Sequence, residues 1–336
     1  MQKLITFGEV MMRLSPPGFQ RFSQAESLEV VYGGGEANVA VAVAQLGITA
    51  SHVTCFPEND LGYSAAASLK KWGVGTEYIV YKGNRLGQYF LEKGSSLRAS
   101  KVVYDRDNSA FAQLSPELFN WKEILKGASW FHWTGITPAI SHNAAVACLQ
   151  AIKAAKELGL TVSGDITYRK NLWQYGKTVQ QVMPELVEGS DLVICGESEA
   201  EEIFGIQSKE NINDPFETLG RGLMERFPNL KKVISTKRET INASYNKLGG
   251  IMWNGEQVIQ TKSYDIEPII DRIGGGDAFM AGFIFSALKG RGDRNALEFA
   301  TAASVLKHTI PGDALLVTEK EIEQLMQGNA VGRLVR

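Results

Sequence analysis

The chain has 336 residues, 44% hydrophobic and 21% charged, a balance expected of a water-soluble globular protein with a full-sized core. A formal net charge of -2 and the lack of any basic run exclude the electrostatic footprint of a nucleic-acid or anionic-membrane binder, and no apolar stretch is long enough to span a bilayer. Residues 1–6 run straight into a strand-like segment without a signal pattern, so a cytoplasmic protein is expected.

The elements follow in chain order. A strand over 4–6 leads into an alternating stretch, 10–32, that lacks helical periodicity. A small-residue helix over 36–46 is closed by Gly47, a strand follows at 52–56, and a helix over 61–72 is closed by Gly73. A second alternating stretch, 88–106, folds back through Gly94 and Ser95 as a pair of antiparallel strands. The strand–helix rhythm then resumes with a strand at 130–133, a helix over 143–158 stopped by Gly159, strands at 161–163 and 192–195, and a helix over 198–204 stopped by Gly205. A strand at 232–235, a β-rich stretch and helices at 278–288 and 295–306 complete it. Such alternation predicts an α/β fold: a parallel sheet with right-handed crossovers, helices on both faces, and ligands at the carboxyl ends of the strands. One domain over 1–336 is expected, with the two alternating stretches, roughly 10–33 and 84–111, forming a small β-lid whose open edge pairs with a second copy in a homodimer.

Cys55, Cys148 and Cys195 are far apart, and His52, His132, His142 and His308 form no metal-ligand pair at helical spacing. Buried thiols and non-catalytic histidines are expected. The chemistry lies elsewhere, in Asp271-Arg-Ile-Gly-Gly-Gly-Asp-Ala-Phe, which opens the apolar helix after Asp277. Gly274, Gly275 and Gly276 let backbone N–H groups face an anion at a helix N-terminus. Asp277 stands where a phosphate would arrive, which suits a general base taking a proton from an attacking hydroxyl. The same residues also suit a plain helix start with Asp as its cap and no ligand.

Together with Tyr32-Gly-Gly-Gly-Glu-Ala-Asn-Val-Ala, that motif resembles the paired signatures of the ribokinase-like (PfkB) carbohydrate kinases, and Glu58-Asn-Asp-Leu-Gly and Glu197-Ser-Glu-Ala-Glu-Glu extend the likeness over nearly the whole chain. The resemblance implies a three-layer α/β/α fold with a central, mostly parallel sheet and a β-sheet lid. It implies Asp277 as the base, Gly274, Gly275 and Gly276 as its anion hole, Gly34 and Asn38 on the sugar, and Glu199 holding Mg²⁺ through water for ATP. A monovalent cation is left open. Gly135-Ile-Thr-Pro, Asp165-Ile-Thr-Tyr-Arg-Lys-Asn-Leu-Trp and Tyr104-Asp-Arg resemble the 2-keto-3-deoxygluconate kinases within that family. A sugar acid calls for a guanidinium, for which Arg169 and Arg106 are the candidates. Tyr89 and Tyr104 are expected as walls, and Asp313 as acceptor for a sugar hydroxyl.

The chain also departs from that family. Gly196 replaces a usual Asn, and Arg238 and Ile241 replace glycines in the nucleotide stretch Ser235-Thr-Lys-Arg-Glu-Thr-Ile-Asn. Thr236 matches, and Arg238 is expected on the phosphates or the base. Thr6-Phe-Gly-Glu-Val lacks the dinucleotide fingerprint, and Asn171-Leu-Trp-Gln-Tyr-Gly-Lys-Thr lacks the first glycine of a phosphate-binding loop. A kinase for fructose or a nucleoside, and a non-catalytic sugar-binding regulator of the same fold, remain the rival readings.

Overall fold

The structure is a computed structural model that describes residues 2–207 and 214–328. Its first half runs β1 (Lys3–Phe7), β2 (Met11–Ser15), β3 (Glu29–Gly33), α1 (Gly35–Gln45), β4 (Thr49–Phe56), α2 (Asp60–Lys71), β5 (Ile79–Tyr81), β6 (Gln88–Glu92), β7 (Lys101–Asp105), α3 (Trp121–Ile124), β8 (Trp130–Thr134), α4 (Thr137–Ile140) and α5 (His142–Glu157). The second half runs β9 (Thr161–Asp165), α6 (Val179–Glu188), β10 (Leu192–Ile194), α7 (Glu197–Phe204), α8 (Pro215–Arg226), β11 (Lys232–Asn242), β12 (Tyr245–Trp253), β13 (Val258–Gln260), β14 (Tyr264–Ile266), α9 (Gly275–Leu288), α10 (Asp293–Lys307) and α11 (Glu319–Met326).

The large sheet has the order β13-β12-β11-β10-β9-β8-β1-β4-β5, with β14 also on β12. From β11 to β5 every pairing is parallel, and β12 turns antiparallel against β11. Its strands are apolar on both faces because helices cover both. Leu4, Trp130, Leu192 and Ile234 pack into one core with α1, α2, α9 and α10, while their neighbours Ile5, Phe131, Val193 and Val233 pack into the other with α5, α6, α7 and α8.

Helix α9 is apolar all round, as a helix without a solvent face must be, and it packs between α1 and α10. Gly282 makes that fit possible, since a Cβ there would stand 2.9 Å from the Ala300 Cα. The two irregular stretches meet in a separate sheet, β3-β2-β6-β7, joined by the parallel pair Arg13↔Tyr89.

Three features went beyond the sequence reading. Strand β11 continues to Asn242 because β12 pairs with it from Val233↔Trp253 to Asn242↔Tyr245. Helix α6 places Val179, Met183, Leu186 and Val187 in the core at helical spacing, a signal obscured by the internal Pro184. Helix α8 starts at Asp214, whose carboxylate accepts from Phe216 N at 2.9 Å.

His52 and His132 are core residues that burial pushes down to about 3, so they stay neutral at physiological pH. The three cysteines are free and buried. Among the described residues no cluster of His, Cys, Asp and Glu could by itself hold a metal, and no helix is long and apolar enough to cross a membrane.

Candidate active site

The glycine turn forms where local chemistry leaves it no alternative. Asp271 Oδ1 accepts from Ile273 N at 3.1 Å, which starts the turn, and Gly274 then adopts φ 81°, a left-handed conformation suited to glycine. A Cβ on Gly274 would lie 1.8 Å from the Asp313 carbonyl oxygen. Gly275 is held nearly as tightly, 2.6 Å from His308 Cε1 by the same construction, yet a Cβ on Gly276 would meet nothing within 4 Å. Among the described residues the N–H groups of Gly276 and Asp277 have no acceptor, whereas Gly275 N donates to Arg272 O at 3.4 Å and Ala278 N to Gly274 O at 2.8 Å. Packing therefore explains two of the glycines. Open space and amides without an acceptor at the third are the arrangement in which a helix N-terminus can receive an anion.

Asp277 lies in the first turn of α9, half-buried by surface but closely surrounded by protein. Asn38 Nδ2 donates to its Oδ2 at 2.7 Å. Asn38 sits on α1, which begins right after Gly34, where a Cβ would stand 2.0 Å from Glu9 O. Burial pushes the Asp277 carboxyl up to about 7; the Asn38 bond opposes this, and Asp165, Asp313 and Glu36 add to it. Glu36 is wholly buried, and its Oε1 accepts from Thr134 Oγ1 at 2.8 Å and Thr137 Oγ1 at 2.7 Å. It ties α1 to β8 and α4.

A buried charge network underlies the turn. Arg13 is 1% exposed and bonds Asp271 Oδ2 through Nη2 at 2.5 Å, Asp313 Oδ1 through Nη1, and Ser15 Oγ through Nε at 3.0 Å. Burial alone would lower its pKa, but Asp313 and Asp271 outweigh that and raise it. Tyr89 Oη donates to Asp313 Oδ2 at 2.5 Å. Asp313, expected as acceptor for a sugar hydroxyl, has both carboxylate oxygens engaged, one by Arg13 and the other by Tyr89, because a carboxylate this deep must be neutralised by its own protein. Tyr89 is likewise buried and bonded, whereas Tyr104, 5.9 Å from it between ring centroids, is 53% exposed. Arg13 escaped the sequence reading. A lone charge in the apolar run Met11-Met12-Arg13-Leu14 was its signal.

The two candidate guanidiniums differ. Arg106 is buried, with Nε 2.9 Å from Glu9 Oε2 and Nη2 on the same oxygen, which leaves Nη1 without a partner. Arg169 is exposed, and its guanidinium makes no ion pair or hydrogen bond among the described residues. Beside it, burial pushes Asp165 up to about 6, Thr167 opposing, Glu199 adding like-charge repulsion and the Arg169 charge pulling the other way. Thr167 Oγ1 donates to Asp165 Oδ1 at 2.7 Å. A Cβ on Gly196 would stand 2.6 Å from Glu199 Oε2, so the bare glycine leaves room for that carboxylate. Two carboxylates that repel each other fit a divalent cation carried in with a nucleotide.

Past β10 a cleft of about 860 Å³ is lined by Gly196, Ser198, Thr236, Arg238 and Gly249 among others. Arg238 is exposed on its outer side, and burial of the rest, followed by its neighbour Arg272, holds its pKa down. Arg272 Nη2 donates only to Ala243 O, at 3.1 Å. Neither guanidinium has a carboxylate partner among the described residues, although the cleft lining also carries Glu197, Asp214 and Glu239 beside Lys237 and Lys247.

The profile of the pfkB family carbohydrate kinases matches residues 1–320. The chain belongs to that family. It is 30% identical to the 2-dehydro-3-deoxygalactonokinase of Haloferax volcanii, over 98% of each chain. The crystal structure of 2-dehydro-3-deoxygluconokinase from Thermotoga maritima superposes with a TM-score of 0.93 at 42% identity, covering 98% of this chain and 100% of that one. A PfkB family carbohydrate kinase from Listeria grayi gives 0.91 at 34% identity, over 97% of this chain and 100% of that one. The protein is thus a carbohydrate kinase with the ribokinase-like fold expected from the sequence. In this kinase the fold brings Asp277 against Asn38, Asn38 against Gly34, and Gly274, the first of the three turn glycines, against Asp313, while Thr236 and Arg238 line the cleft past β10.

Proposed function

We propose that this kinase transfers the γ-phosphate of ATP to a hydroxyl of a sugar acid, 2-keto-3-deoxygluconate. The observation that carries the transfer is the Asp277 carboxylate, oriented by Asn38 at the foot of unsatisfied amides. Asp277 accepts the hydroxyl proton as the oxygen attacks phosphorus, and the amides of Gly276 and Asp277 receive the charge on the transferred group. Gly34 lets the first turn of α1 approach the sugar closely. Tyr89 and Tyr104 wall the pocket, with Asp313 holding Tyr89 in place.

The acid is favoured over a neutral sugar by Arg169, whose guanidinium makes no hydrogen bond or close ion pair among the described residues, and by the unshared Nη1 of Arg106. The names of the Thermotoga maritima and Haloferax volcanii relatives point to the same class of substrate. Thr236 and Arg238 take the nucleotide, with Arg272 beside them on the phosphates. Glu199 with Asp165 would hold Mg²⁺ through water, and the ion would neutralise charge on the β- and γ-phosphates. The lid, roughly 10–33 and 84–111, closes over the sugar. Its outer face exposes Val30 and Val103, which supports a homodimer through the lid, to be checked by light scattering after size exclusion. Free thiols suit the reducing cytoplasm.

Coupled ADP-release measurements with Mg-ATP and a panel of 2-keto-3-deoxygluconate, its galacto epimer, fructose and nucleosides test this reading. Turnover is expected to be highest with the acids. Preference for a neutral sugar would select another kinase subtype, and binding without turnover would select a regulator.

A further inference from the structure

Lys307 is fully buried near the end of α10, among Ala302, Ala303 and Val305, where a lysine has no packing advantage. Its Nζ donates to the Ile310 carbonyl at 3.2 Å and to the Asp271 carbonyl at 3.4 Å. These oxygens flank the glycine turn: Asp271 leads into it, and Ile310 leads into the loop whose Asp313 carbonyl lies against Gly274. Lys307 Cε stands 3.3 Å from where a Gly274 Cβ would be. Burial holds the lysine pKa below its ordinary value, with Arg13 adding to this, and Asp271, Asp313 and Asp277 offset it only in part. Arg13 already bonds both carboxylates, so the buried cluster is neutral only with a second positive charge.

Main-chain carbonyls gathered at one point are also how proteins hold a potassium ion, and an ammonium group satisfies the same oxygens. We propose that the Lys307 ammonium is a tethered cation that fixes the glycine turn from behind, so that this kinase needs no exchangeable monovalent ion. Lys307 is a positioning residue: it holds two carbonyls that flank the turn and acts on the phosphate through the shape of that turn. A tethered charge is in place before substrate arrives and costs no ion-binding entropy. The inference rests on the kinase reading above.

The test compares wild type, Lys307→Ala and Lys307→Met in choline, sodium, potassium and ammonium chloride at one ionic strength. Wild-type turnover is expected to be the same in all four salts. Lys307→Ala should lose about 10²-fold in kcat, as loss of one preorganised electrostatic group typically does, and recover severalfold in ammonium or potassium. Its melting temperature should rise in those same salts, while the wild-type value should not. Lys307→Met fills the space without charge and should stay inactive in every salt. Potassium-dependent wild-type turnover, an Ala variant unresponsive to ammonium and potassium in both readouts, or a fully active Met variant would each overturn the proposal. If wild type released no ADP in any salt, the kinase reading would fail, while the melting comparison would still decide the role of the lysine.

Discussion

Asn38 Nδ2 and Asp277 Oδ2, 2.7 Å apart, join α1 to the first turn of α9 across 239 positions of sequence. The bond occupies one carboxylate oxygen and sets the plane of the group. The other oxygen, Oδ1, has no hydrogen-bond partner among the described residues and faces Gly35, whose Cβ, if present, would stand 3.6 Å away. A small hydroxyl can approach there because residue 35 has no side chain.

Replacing Asp277 by Asn keeps the shape and removes the base. Turnover is expected to fall by about 10² to 10⁴, the usual worth of general-base catalysis, with sugar binding and far-UV circular dichroism retained. Steady-state kinetics beside calorimetric sugar titration checks this, and near-normal turnover would remove Asp277 from the role.

The raised carboxyl predicts a pH profile. Asp277 works as a base only when ionised, so kcat/KM should decline as pH falls below about 7. Asn38→Ala removes an interaction that favours the ionised form and should move this limb to higher pH. Stability runs the other way: a carboxyl whose folded pKa lies above its ordinary 3.8 contributes stability at low pH that is lost as pH rises through about 7. Asp277→Asn should therefore melt above wild type on the alkaline side, with the difference shrinking toward acid.

Two glycines of one turn should respond oppositely to a methyl group. Gly274→Ala must accommodate a left-handed φ of 81° and a collision with the Asp313 carbonyl, and is expected to lower the melting temperature sharply. Gly276→Ala projects into open space and should leave the melting temperature almost unchanged while impairing ATP-dependent turnover. Equal turnover in Gly276→Ala and wild type would mean that no phosphate passes there.

Arg13→Met leaves the Asp271 and Asp313 carboxylates buried without their shared partner. A loss of about 3–5 kcal/mol is expected in urea denaturation, the typical cost of breaking a buried ion pair from one side. A loss below about 1 kcal/mol, the worth of an exposed pair, would contradict the buried network.

Arg169→Lys keeps the charge and removes the planar fork. KM for 2-keto-3-deoxygluconate should rise more than KM for fructose or another neutral sugar tested alongside it. Parallel changes for both would show that Arg169 does not read a carboxylate.

The α/β rhythm, most helix ends and the glycine turn were legible in the chain itself, because side-chain periodicity, glycine freedom and a carboxylate at a helix start are local properties. Helix α6 lay hidden behind Pro184, and β11 was read short because its last residues are held by β12 rather than by their own pattern. The roles of single charged groups were less legible. Arg106 and Arg169 look alike as residues, yet Glu9, 97 positions away, pairs with one and nothing described pairs with the other. Sequence alone determined that a glycine turn with a carboxylate opens a buried helix here. Only the tertiary structure decided that Arg13, 300 positions from Asp313, neutralises it, and that Lys307 lies behind the turn, because the cost of burying a charge depends on what the fold brings beside it.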